Sequence, residues 1–154
     1  MCEGVLDGSA RLRATIEQSM PLSLEDAQQL VSTAHDKARQ DGIRVAVAVV
    51  DEGGTLITLS RMDGAPPLAS QIAEAKAVGA ALWHRDGDSL RQVYQDRAKF
   101  FEQVDRMVRV PMVPGLGSLL IRRAGGVLGA VGVSGGAPEQ DKACAQAGLD
   151  SLNL

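Results

Sequence analysis

Lys76 sits in a run of small residues, with Ala73, Ala77 and Ala80 at neighbouring helical positions. A lysine held among small apolar side chains loses hydration and its pKa falls, so it can act as a base, form a Schiff base or hold a carboxylate. The alternative is a structural ion pair, with Asp51 or Asp63 as the partner. Arg61 and Asp63 flank Met62. An arginine there can clamp a carboxylate or propionate through two parallel hydrogen bonds. It can equally pair with Asp63 and fix the loop. The stretch Ser134-Gly135-Gly136-Ala137-Pro138 leads from a β-branched run into an alanine-rich helix. Free N–H groups at such a helix start suit an anionic ligand, although a tight turn alone also explains the glycines.

Two histidines complete the inventory of groups that titrate near neutral pH. His35, four residues after Val31 and beside the apolar stripe of its helix, reads either as a haem axial ligand or as a packed or solvated residue. His84, next to Trp83, reads either as a general acid or base or as a surface loop residue. Asp51 precedes Glu52-Gly53-Gly54, where an aspartate usually caps the turn, with catalysis the lesser reading. Cys2 and Cys144 fit no metal spacing, and no His/Cys/Asp cluster does, so no dedicated metal is expected. There is no Walker loop, dinucleotide fingerprint or nucleophile elbow.

The elements that position these residues follow from periodicity. Residues 1–20 read as a tail with one short helix over 10–18, and 21–154 as a single domain. Ser23 and Asp26 form a capping pattern, and Leu24, Ala27, Leu30, Val31, Ala34 and Ala38 recur at helical spacing up to Asp41-Gly42. Residues 44–51 are apolar on both parities, as in a central strand, and 55–61 form its hairpin partner. A loop over 62–67 precedes a helix over 69–82. Ser89 is expected to cap a polar helix running to Met107. Strands follow over 108–113, 118–122 and 127–133, then a helix over 138–147. Short loops and hairpins imply an α+β domain with helices packed on an antiparallel sheet.

Composition narrows the function. A formal charge of −3 with no basic block argues against nucleic-acid binding. No apolar run reaches the length of a membrane span, and residues 1–7 lack a signal-peptide core, so a cytoplasmic protein is expected. Aromatic residues make up only 3% of the chain, so Val, Leu, Ala, Ile and Met must build the core.

Three stretches resemble the small haem-binding or "haem-degrading" domain family, which includes GlcG-like proteins and the C-terminal domain of PduO-type adenosyltransferases. They are Val47 to Gly54 (Val-Ala-Val-Val-Asp-Glu-Gly-Gly), Arg61 to Ala65 (Arg-Met-Asp-Gly-Ala) followed by Ala75-Lys76-Ala77, and Gly129 to Asp141. Together they span roughly residues 22–148. The chain departs from the family pattern at Gly117-Ser118-Leu119-Leu120-Ile121 and at Trp83 to Ser89. The resemblance implies a profilin-like five-stranded antiparallel sheet with flanking helices. It also implies homo-oligomers and the binding of haem or another small ligand.

Two functions are therefore expected as alternatives. One is a binding module for haem or another anionic, carboxylate-bearing molecule, with Arg61, Met62, Lys76, Ser134, Gly135, Gly136 and His35 as ligand-binding residues. The other is a cofactor-independent isomerase, lyase or cyclase acting on a carbonyl or carboxylate compound. There Lys76, His84 and Asp63 are catalytic, and the N–H groups after Ser134 stabilise negative charge. Small residues such as Gly129, Gly132, Ala143 and Ala147 favour close packing between copies, so a closed homo-oligomer with pockets near its interfaces is expected.

Overall fold

The computed structural model describes residues 8–154. Cys2 and the acidic N-terminal stretch lie outside the described residues. Helix α1 spans Gly8–Ser19. Helix α2 spans Leu24–Gln40 and starts as its capping pattern predicts, with the Ser23 hydroxyl accepting from the Asp26 N–H at 3.0 Å.

Strands β1 (Ala46–Asp51) and β2 (Leu56–Arg61) form the expected hairpin. Helix α3 follows over Ala69–Trp83. Strands β3 (Ser118–Arg123) and β4 (Gly126–Ser134) form a second hairpin. β1 pairs with both β2 and β4, so the order is β2-β1-β4-β3, antiparallel throughout. Among the described residues the sheet therefore has four strands, not five. Residues 108–113 form no strand. Pro111 has no N–H to offer a ladder, and the Met112 N–H donates to the Asp105 carboxylate at 3.0 Å instead. Met112 packs on α3, where a Cβ at Gly79 would lie 2.7 Å from its Cγ.

The polar helix expected over 89–107 is also two helices, α4 (Gly87–Asp96) and α5 (Ala98–Asp105). The break is at Arg97, whose φ of −134° and ψ of 36° are not helical. Ser89 does not cap α4. Asp86 occupies that position, and its carboxylate accepts from the Leu120 N–H at 2.8 Å, tying the helix start to β3. The four aromatic side chains of the chain gather here, with Trp83, Tyr94 and Phe100 around the buried Phe101.

Helix α6 (Pro138–Asp150) packs with α2 on one sheet face, and α3 covers the other. This explains the two-sided apolarity of β1. Val47 and Val49 face α2 and α6, while Ala46, Ala48 and Val50 face α3. Helix α3 lies close on β4 because its contact residues are alanines. A Cβ at Gly132 would come within 2.1 Å of the Ala73 carbonyl oxygen, so the strand needs a glycine there. Among the described residues no helix is long and apolar enough to cross a membrane.

Candidate functional site

The end of α2, the entry to β1 and the end of β2 meet at one edge of the fold. One turn of α2 puts His35 and Arg39 on the same side. Arg44 precedes β1. Arg61 closes β2 opposite Ala46, and the Met62 N–H donates to the Val45 carbonyl at 3.0 Å. Gly64, with φ of +80°, then turns the chain, and the Ala65 N–H donates back to Met62. The result is a cleft of about 420 Å³ lined by His35, Arg39, Arg44, Ser60, Arg61, Met62 and Asp63.

The chemistry of this cleft is cationic. Its lining residues include three arginines and one acidic residue, Asp63, and Arg44, Arg61 and Asp63 are exposed. Arg39 is paired with Asp36 on its own helix. Among the described residues Arg44, Arg61 and Asp63 form no ion pair, so the Arg61–Asp63 pair weighed from sequence is not made. His35 is buried, and its Nε2 has no hydrogen-bond partner. Burial pushes the His35 pKa below the ordinary 6.5, with Arg39 acting in the same direction and the Ser60 backbone and Asp36 opposing it. Burial thus favours the neutral ring.

Lys76 lies elsewhere, under the C-terminal end of β4. It is 7% exposed. Its ammonium donates to the Val133 carbonyl at 2.9 Å and to the Asp141 carboxylate at 3.0 Å. Its partner is thus Asp141, not Asp51 or Asp63. The Asp51 carboxylate instead accepts from the Gly53 and Thr55 N–H groups at 2.9 and 2.8 Å and caps its own turn. The other Asp141 oxygen accepts from the Gly136 N–H at 2.9 Å, and the Ala137 N–H donates to the Gln140 side chain at 2.9 Å. Two N–H groups after Ser134 are therefore occupied by the chain's own side chains. The Ser134-Gly135-Gly136 turn is a tight connection, held where a Cβ at Gly135 would fall 2.4 Å from the Arg44 carbonyl oxygen. Burial pushes the Asp141 carboxyl above its usual value, and the Lys76 ammonium and the Gly136 N–H pull it back.

The sequence-derived site residues thus divide. His35, Arg61, Met62 and Asp63 come together in the cleft, while Lys76 and Ser134 are buried beside Asp141 and apart from it. His84 is exposed and caps the C-terminus of α3 with φ of 50°. Arg39, Arg44 and Ser60 were not flagged by sequence. Only the four-residue spacing of His35 and Arg39 carried a local signal. A second cleft, also about 420 Å³, runs between α3 and residues 109–113, with Leu68, Ile72, Pro111 and Val113 on its walls. Arg109 at its rim is paired with Glu74 at 3.5 Å. Among the described residues no group of three or more His, Cys, Asp or Glu side chains is placed to hold a metal ion.

Known proteins share this architecture. Protein GlcG of Escherichia coli is 33% identical over 114 residues, 73% of this chain and 81% of GlcG. A crystal structure of a PduOC–haem complex superposes with a TM-score of 0.78 at 30% identity, covering 87% of this chain and 96% of that one. A double mutant of HbpS from Streptomyces reticuli superposes with a TM-score of 0.79 at 25% identity, covering 100% and 98%. The family model described as "Haem degrading protein HbpS-like" matches residues 22–150, and the chain belongs to that family.

Proposed function

We propose that this protein is a small-molecule-binding domain and that its arginine-lined cleft holds a carboxylate-bearing ligand. One observation carries the reading: the Arg44 and Arg61 guanidiniums border one cleft without an ion-pair partner, beside a single carboxylate. A guanidinium presents a planar fork of donors that matches a carboxylate. The cleft volume lies within the range of small-ligand sites.

Haem is the ligand that the family and the PduOC complex bring forward. The arginines suit its propionates. The rest of the cleft suits the ring less well, because Met62 is the one apolar side chain on its walls. The His35 Nε2 is closed off from solvent, so an iron atom does not reach it with the ring as placed. Haem therefore fits this cleft through its carboxylates and not through histidine ligation. The isomerase, lyase or cyclase alternative has less support, since Lys76 is held by Asp141 and His84 stands apart from both clefts. We also infer a homo-oligomer, because Leu68, Leu82 and Val113 leave apolar surface exposed around α3. Light scattering tests it, and a mass near 16 kDa would count against it.

Titrations of haem and of simple carboxylates into the wild type and the Arg44→Ala and Arg61→Ala variants test the binding reading. Each variant is expected to weaken binding at least about tenfold, equivalent to about 1.4 kcal/mol. Unchanged affinity in both variants would overturn it.

A further inference from the structure

We propose that Lys76 and Asp141 are positioning residues for the cleft: their buried pair holds the Ser134-Gly135-Gly136 turn against the segment that presents Arg44. This rests on the reading that the cleft binds carboxylates and says what keeps one of its arginines in place.

The path from the pair to the cleft is continuous. The Lys76 ammonium donates to the Val133 carbonyl at 2.9 Å, just before the turn, and to Asp141 Oδ2 at 3.0 Å. Asp141 Oδ1 accepts from the Gly136 N–H at 2.9 Å. The turn lies directly on residues 43–45. A Cβ at Gly135 would fall 2.4 Å from the Arg44 carbonyl oxygen and 2.9 Å from the Val45 Cα, and one at Gly136 would fall 2.9 Å from the Ile43 Cδ1. On the β2 side of β1 the Met62 N–H donates to the Val45 carbonyl at 3.0 Å. Residues 43–45 are therefore held between the turn after β4 and the end of β2, and Arg44 lines the cleft from there.

Stability alone does not account for such a pair. Desolvation of two charges largely cancels their attraction, and apolar side chains of the same volume often serve a core as well. What a buried pair can add is a single fixed arrangement. The turn needs one. Gly135 has φ of +134°, and two successive glycines bring backbone freedom and no side chain to pack. Its anchor must come from outside, and an ionised carboxylate is a stronger acceptor for the Gly136 N–H than a neutral one. The Lys76 ammonium favours that ionised form of Asp141. Removing Lys76 thus weakens the hold on Gly136, loosens the surface on which residues 43–45 rest, and shifts Arg44 away from its place in the cleft. Because Arg44 is then ordered only when a ligand arrives, affinity falls.

The test titrates sodium acetate into the protein by NMR at low temperature, below the melting of the variants. Lys76→Met is expected to weaken binding at least about tenfold. Because the loss runs through Arg44, Lys76→Met combined with Arg44→Ala should bind no more weakly than Arg44→Ala alone, whereas the losses from Lys76→Met and Arg61→Ala should multiply. Adding Asp141→Asn to Lys76→Met keeps an acceptor for Gly136 and should recover most of the affinity. Phe101→Ala empties the aromatic cluster on α5, outside the cleft, and should lower the melting temperature while leaving affinity unchanged. If Lys76→Met does not fold, Gln140→Ala decides. It frees the Ala137 N–H of the same connection without touching the buried pair, and it should weaken binding by a smaller factor, again only while Arg44 is present. A loss that multiplies with that of Arg44→Ala, an equal loss in Phe101→Ala, or wild-type affinity in Lys76→Met would overturn the positioning role and leave the cleft as a carboxylate site. Acetate binding unaffected by both Arg44→Ala and Arg61→Ala would overturn the two readings together.

Discussion

Replacing Lys76 by methionine removes one charge from the middle of the fold and keeps most of the side-chain length. In the wild type the ammonium bridges α3, the end of β4 and the first turn of α6 through Val133 and Asp141. Asp141 is 3% exposed, so in the variant its carboxylate stays buried with the Gly136 N–H as its remaining partner. Breaking a buried pair from one side costs about 3–5 kcal/mol, because the orphaned charge keeps its desolvation penalty. For a domain of this size 1 kcal/mol moves the melting temperature by about 2–4 °C, so Lys76→Met should melt about 6–20 °C lower at pH 7.

The pH dependence makes the cause testable. Burial already raises the folded-state pKa of Asp141, and loss of the ammonium raises it further. An acid whose folded pKa lies above its unfolded value holds a proton longer when folded, so the folded form gains relative stability as the pH falls. The penalty in the variant is full above the raised folded value and gone near the unfolded value of about 4. The gap between variant and wild type should therefore narrow from pH 7 to pH 4.5 in thermal melts followed by circular dichroism. Adding Asp141→Asn to Lys76→Met removes the orphaned charge and keeps an acceptor for Gly136, so the double variant should be more stable than Lys76→Met alone. Additive losses, or a gap independent of pH, would refute the account of this pair.

Further predictions concern other parts of the molecule. The His35 pKa is lowered in the fold, so the unfolded chain binds its proton first and stability must fall as the pH drops below 6.5. His35→Gln should flatten that part of the stability profile, and an unchanged slope between pH 7 and 5 would count against it. Gly132→Ala forces a methyl group against the Ala73 carbonyl and should cost at least about 1–3 kcal/mol, seen as a lower denaturant midpoint. Cys144 is buried and its thiol is pushed up to about 11, so it should resist a thiol reagent in the native protein and react promptly in denaturant. Fast labelling of the native protein would contradict that placement.

The fold was legible wherever a local pattern decided the outcome. β1 announced its central place because helices cover both of its faces, which makes every position from Ala46 to Val50 apolar. Ser23 caps α2 and Asp51 caps its hairpin turn, because both act within four residues. The fifth strand failed for the opposite reason. Val108 to Val113 has strand composition, but Pro111 offers no N–H, the Asp105 carboxylate takes the Met112 N–H and Met112 packs on α3, and no periodicity reports that competition. The break at Arg97 likewise has no glycine or proline to announce it.

The site was legible only where its parts are close in sequence. Arg61, Met62 and Asp63 drew notice as a tripeptide, and His35 as a lone histidine. The partner of Lys76 lies 65 residues away, so the sequence could mark the lysine but could not choose among the aspartates. The N–H groups after Ser134 have the local form of an anion cradle, yet an aspartate five residues on already accepts from one of them. Arg44 has no motif around it. It joins the cleft because the antiparallel register places the start of β1 against the end of β2, which brings residues 44 and 61 to the same edge. A cationic cleft of this kind is a consequence of register, and it becomes visible only when the pairing of β1 with β2 is known.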